Sequence, residues 1–153
     1  MQGFFGPLGE MAETNTDFRR VIYTGPHLQV VLMSLKPDEA IGSEIHEGRD
    51  QFFRIETGTG RLRLGSARIS VSAGDGFVVP AGMRHNLTNT GKKRLRLYTI
   101  YSPPNHADGL IAHTKAKAMA VESQNQMSAA LNSANKAMTN EGGPAPSMQE
   151  PQK

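Results

Sequence analysis

Between Arg20 and Pro104 the apolar residues come in short runs or alternate with polar ones, and turn-forming residues cut off each run. Arg20 to Thr24 stops at Gly25-Pro26, and Leu28 to Leu35 stops at Lys36-Pro37-Asp38. Gln51 to Glu56 stops at Gly58 and Gly60, and Arg61 to Leu64 at Gly65-Ser66. Arg68 to Ser72 ends at Gly74-Asp75-Gly76, Phe77 to Val79 at Pro80, and Leu95 to Tyr101 at Ser102-Pro103-Pro104. Alternation of period two places successive side chains on opposite faces of a strand. Turn signals every eight to twelve residues or so mark a sandwich or barrel. No helical period is sustained in this stretch, so it predicts an all-β core.

The ends read differently. Residues 1–19 carry no strand pattern and are expected to form an N-terminal arm; the domain is expected over residues 20–113. Thr114 is a suitable N-cap for a short C-terminal helix within residues 114–138. Residues 139–153, with Glu141-Gly142-Gly143-Pro144-Ala145-Pro146, have little to bury and are expected to be disordered.

The chain has no cysteine, which excludes disulfides, thiolate ligands and a cysteine nucleophile. Any metal must sit on His, Asp, Glu, Gln, Asn or water. The net charge of +3 is spread along the chain. Its densest basic stretch, Lys92 to Arg96, alternates with leucines as a strand with one wet face would, so no nucleic-acid partner is expected. No apolar run reaches membrane-spanning length, so no membrane partner is expected either. Met1 to Glu10 lacks the basic and apolar regions of a secretory signal. A cytoplasmic location is expected on that ground, with secretion open if a signal was removed.

Residues 74–89 place Gly74, five residues, Pro80, one, Gly82, two, His85, three, and Asn89. This pattern resembles the second motif of the cupin family at every fixed position. The first cupin motif has a glycine, then His-x-His, three or four residues, Glu, six residues and Gly. Here the matching stretch reads Glu44-x-His46-x4-Gln51-x6-Gly58, with Asp38 at the opening glycine's place. Asp50-Gln51-Phe52, Pro80-Ala81-Gly82-x-x-His85-Asn86 and Tyr98-x-x-Tyr101-x-Pro103-Pro104-x-His106 resemble small bacterial cupins described as mannose-6-phosphate-isomerase-like. The set His46, Gln51 and His85 also looks like that of a copper cupin that cleaves cellulose oxidatively. The resemblance covers roughly residues 28–104. It implies a jelly-roll β-barrel holding one divalent transition metal on His46 and His85, with Gln51 and Glu44 beside them.

Two imidazoles suit Zn, Cu, Fe and Ni; a site of two histidines and one carboxylate suits Fe(II), and affinity alone favours Cu(II). Copper or iron is ranked ahead of zinc or manganese. Glu44 is read as a ligand or as an acid/base group, with a salt-bridged carboxylate as the bland alternative. Tyr98 and Tyr101 are candidate hydrogen-bond donors to substrate, with Tyr98 assigned a catalytic role. The inward face of the last strand is either Leu95, Leu97, Thr99 and Tyr101 or Arg96, Tyr98 and Ile100. His27, His106 and His113 read as surface or exposed loop, and Asn86 and Asn89 as groups that satisfy backbone.

Three functions fit these residues: an oxidoreductase using O₂ or peroxide on a sugar or polysaccharide, a non-redox sugar isomerase or lyase using Zn or Mn, or a non-catalytic metal- or sugar-binding cupin. The expected partners are a small-molecule or carbohydrate substrate and a second copy in a homodimer, with the strand Arg20 to Thr24 joining the partner's sheet.

Overall fold

The computed structural model describes residues 2–140. Helix α1 (Leu8–Thr14) is followed by β1 (Arg19–Thr24), β2 (Gln29–Leu35), β3 (Asp50–Thr57), β4 (Thr59–Leu64), β5 (Ala67–Ser72), β6 (Gly76–Val79), β7 (His85–Asn89), β8 (Leu95–Ser102), β9 (Ile111–Ala112) and α2 (Lys115–Asn140). The strands form a six-stranded sheet in the order β6-β3-β8-β2-β1-β9 and a three-stranded sheet in the order β5-β4-β7. Every pairing is antiparallel. This is the jelly-roll arrangement that the family resemblance implies.

Period two decides which side chains face inward. Along β8 the residues alternate buried and half-buried, with Leu95, Leu97, Thr99 and Tyr101 inside. Residues directly opposite on neighbouring strands share a face. Phe53, Thr99 and Val31 therefore form one inner row, and Gln51, Tyr101 and Gln29 the next toward the mouth. Phe53, Ile55, Leu62, Leu87, Leu95 and Leu97 are almost wholly buried and make the body of the core. Phe52, on the outer face, lies near Tyr98 with ring centroids 6.5 Å apart.

The N-terminal residues, expected as an arm, carry a helix that packs on the strands. Leu8, Met11 and Ala12, spaced three and four apart on one helix face, seat α1 against β2, β3 and β8, with Ala12 fully buried. Arg96 reaches back to donate to the Asn15 carbonyl at 3.0 Å. Strand β1 lies between β2 and β9 of its own sheet, and β9 pairs with only Arg19 and Arg20. Thr114 caps α2 as expected, its Oγ accepting from the Lys117 N–H at 3.2 Å. The tail expected over residues 139–153 lies almost wholly outside the described residues.

Two motif positions show why their residues are used. Gly58 has φ +92°, and a Cβ there would lie 2.8 Å from the Arg94 carbonyl oxygen. Asp38, at the missing opening glycine's place, has φ +66°. Aspartate tolerates this left-handed conformation better than most residues, though glycine adopts it without strain. Asp38→Gly is expected to stabilise the fold by about 0.5–1 kcal/mol, read as a rise of a few degrees in the thermal midpoint. A fall would show that the Asp38 side chain supports the turn.

Candidate metal centre

Three chain segments bring the candidate ligands together. Glu44 and His85 exchange both backbone hydrogen bonds, at 2.9 and 3.0 Å, which pins the loop before β3 against the start of β7. The His46 carbonyl accepts from the Gly82 N–H at 3.0 Å, tying the first motif to the glycine turn of the second. Gly82 takes φ +78° to make that turn. Gln51 enters from β3, opposite Tyr101 on β8.

One ligand atom from each of Glu44, His46 and His85 lies within 4.8 Å of the other two. Glu44 Oε2 is 3.2 Å from His46 Nε2 and 3.9 Å from His85 Nε2. His85 is 1% exposed, while Glu44 and His46 are partly open. His85 Nδ1–H donates to the Met83 carbonyl at 3.0 Å, which leaves the Nε2 lone pair facing the site. Burial holds the His85 imidazole below its ordinary pKa, against the opposing pull of the Met83 carbonyl and Glu44. A neutral imidazole fixed through its far nitrogen is the form that ligates metal.

Gln51 is fixed in a similar way. Its Nε2 donates to Thr99 Oγ1 at 3.0 Å, and Thr99 Oγ1 donates to the Phe52 carbonyl at 2.8 Å. The amide oxygen of Gln51 is thereby left without a protein partner, as is Nε2 of His85, and both atoms are buried. Such atoms cost free energy unless something completes them. Two imidazoles, one carboxylate and one amide oxygen are a donor set that suits a divalent transition metal. His46, His85 and Glu44 could hold the ion, and the Gln51 oxygen could join them.

The barrel interior brings Arg19 and His106 near the candidate ligands and Tyr101. Arg19, on the inner face of β1 and 1% exposed, lies 4.0 Å from Glu44 Oε1. Tyr101 stands edge-on to His46 at 5.6 Å, and His106 edge-on to Tyr101 at 5.1 Å. His106 is thus not an exposed loop residue. The Asn105 and His106 N–H groups both donate to Gln29 Oε1, and Gln29 Nε2 donates to the His106 carbonyl at 2.8 Å. Tyr98 is corrected as well. Strand alternation turns it to the outer face beside Phe52, away from the histidines, and Tyr101 takes the place by the site. His27 is exposed, and His113 is largely exposed and paired with Asp17. Asn89 does satisfy backbone, donating to the Leu35 and Lys93 carbonyls.

Residues 31–101 match the family described as Cupin domain. A crystal structure of BH2720 from Bacillus halodurans superposes with TM-score 0.77 at 42% identity, over 78% of this chain and 95% of that one. The chain belongs to the cupin family. This cupin is 45% identical over 121 residues to the uncharacterized protein YrkC of Bacillus subtilis, covering 75% of this chain and 65% of the relative. It is 46% identical over 101 residues to the uncharacterized protein L612 of Acanthamoeba polyphaga mimivirus, covering 63% of each. The chain thus spans slightly under two thirds of both curated relatives. Among the described residues, no helix is long and apolar enough to cross a membrane.

Two outcomes are expected of this centre. His46→Ala or His85→Ala removes most bound metal from a folded protein, as read by elemental analysis. Thr99→Val, which frees the Gln51 amide, lowers metal affinity about tenfold, the scale of an outer-shell change. Unchanged metal content in both histidine variants would disprove the assignment.

A further outcome concerns acid. Burial, then the nearby Arg19, His46 and Arg49, push the His106 pKa from 6.5 down to about 3. As pH falls through 6.5 the unfolded chain takes up this proton and the folded chain does not. Metal-free protein should therefore lose stability between about pH 6.5 and 3, by up to roughly 1.4 kcal/mol per pH unit for this group. In urea unfolding at successive pH values, His106→Asn should show a shallower loss. An equal slope in the variant would contradict the neutral, buried state.

Proposed function

We propose that this cupin is a metal-dependent oxidoreductase. In this reading copper or iron sits on His46, His85 and Glu44, with Gln51 as a neutral fourth donor, and acts with O₂ or peroxide on a small soluble substrate, a sugar in the specific version. The observation that carries the reading is the convergence of two imidazoles and one carboxylate, with His85 Nε2 and the neighbouring Gln51 oxygen both buried and without a hydrogen-bond partner. Two histidines and one carboxylate with open positions are the donor set of non-haem iron oxygen chemistry. A protein that fills only three or four positions leaves room for substrate, unlike a closed structural site.

When bound, the metal supplies a redox centre and a Lewis acid. The chain's own residues do the rest. Thr99 and the Met83 carbonyl orient Gln51 and His85, and Arg19 stands 4.0 Å from the Glu44 carboxylate. Tyr101 and His106 form a wall that meets any substrate entering beside His46. Supply of aromatic side chains is low, at 6% with no tryptophan, which disfavours a flat polysaccharide surface as substrate.

A second reading has its own support: the Glu44 carboxylate stands beside both histidines and could move a proton in a non-redox isomerase or lyase. Oxygen uptake separates the two. Protein loaded with Fe(II) or Cu(II) is expected to consume O₂ in the presence of a turned-over sugar or hydroxy acid and to lose that uptake in His85→Ala. Turnover that continues without oxygen, or with zinc alone, would move the assignment to the isomerase or lyase.

A further inference from the structure

The arginines of this chain are unevenly provided with partners. Arg19, Arg20 and Arg54 meet carboxylates, and four others bond carbonyl or hydroxyl oxygens. Arg61, Arg63 and Arg68 meet none of these among the described residues, and all three are exposed on one sheet face.

The register of the three-stranded sheet sets their arrangement. Ser70, Arg61 and Thr88 lie opposite one another across β5, β4 and β7, and Arg68, Arg63 and Asn86 form the adjacent row. Residues two apart on a strand are separated by about 6.6 Å, and directly opposed Cβ atoms by about 5 Å. Three guanidinium groups therefore stand within side-chain reach of one point above the sheet. Arg61, Arg63, Arg68, Asn86 and Thr88 line a shallow groove of about 280 Å³. Every side chain in the two rows offers hydrogen-bond donors, and none is a carboxylate.

Arg63 directly opposite Arg68 is a like-charge pair, which weakens a sheet. Nothing in the fold uses that repulsion. We propose that this face is a binding site for a small, multiply charged phosphoryl ligand, such as a diphosphate or phosphomonoester group. Guanidinium forks match phosphate oxygens in geometry as well as charge. The compact triangle of charge, with no aromatic side chain beside it, fits such a group better than a nucleic-acid strand, which calls for a longer basic track and stacking rings. The site lies on the outer face of the sheet whose β7 carries His85 inward, and it does not depend on the reading of the metal centre.

The test is calorimetric titration of the full chain with inorganic pyrophosphate at low salt. Binding is expected in wild type, about tenfold or more weaker in Arg63→Gln and in Arg68→Gln, each of which removes a charge-assisted contact. Both variants should keep wild-type metal content and hold or raise the thermal midpoint, because the like-charge pair is gone. A Lys92→Gln control should bind as wild type does. The proposal is overturned by absence of pyrophosphate binding, by equal binding in the arginine variants, or by a lowered midpoint that shows the arginines support the sheet. It is also overturned if a short DNA duplex binds through the same arginines more tightly than pyrophosphate.

Discussion

The pair of backbone hydrogen bonds between Glu44 and His85 is the contact on which the centre depends. An antiparallel pair that exchanges both bonds has its Cα atoms about 5.5 Å apart and its side chains on one side. Glu44 arrives in an extended loop and His85 at the first residue of a strand, so neither has a long element to hold it in register. Removing the bridge would leave a carboxylate and an imidazole free to separate. With it, the position of His46 follows, because two residues further along the same extended chain returns to the same face. The Gly82 contact to the His46 carbonyl then closes the corner.

Around that bridge the barrel interior changes character along its length. Deep rows such as Phe53–Thr99–Val31 are mainly apolar and supply the burial that holds the sheets together. The row nearer the mouth, Gln51–Tyr101–Gln29, is polar, and each amide has been given a specific task. Thr99 links the two levels: it lies in the apolar row, and its hydroxyl orients the Gln51 amide in the polar one. A polar group placed in a core is stable only when its partners are complete, and in the proposed reading a metal would be the partner for the Gln51 oxygen and His85 Nε2.

Much of this was legible in the sequence. Alternation and turn residues mark the strands because half-buried strands cannot hide their period. Motif spacing places Glu44, His46 and Gln51 because the turn between them is short, and places His85 because the Pro80–Gly82 turn sets the start of β7. Arg19 could have been found: it stands two residues before Val21 and so shares its inward face. Leu8, Met11 and Ala12 carry a helical spacing too short to separate from chance. Tyr98 and Tyr101 sit three apart, on opposite faces of one strand, so which of them faces inward depends on register across the sheet. His106 was beyond reach, since its burial rests on Gln29, 77 residues away in the chain.

That distant clamp has a consequence for the mouth of the barrel. Gln29 is itself fully buried and engages three backbone groups of the segment after β8. The segment is thereby ordered as part of folding, not on arrival of a ligand. Whatever enters beside Tyr101 meets a wall already in place and loses little further conformational entropy to it. Under the proposed function, selection at this entrance would be a matter of fixed shape, so molecules that do not match it would be refused instead of being wrapped.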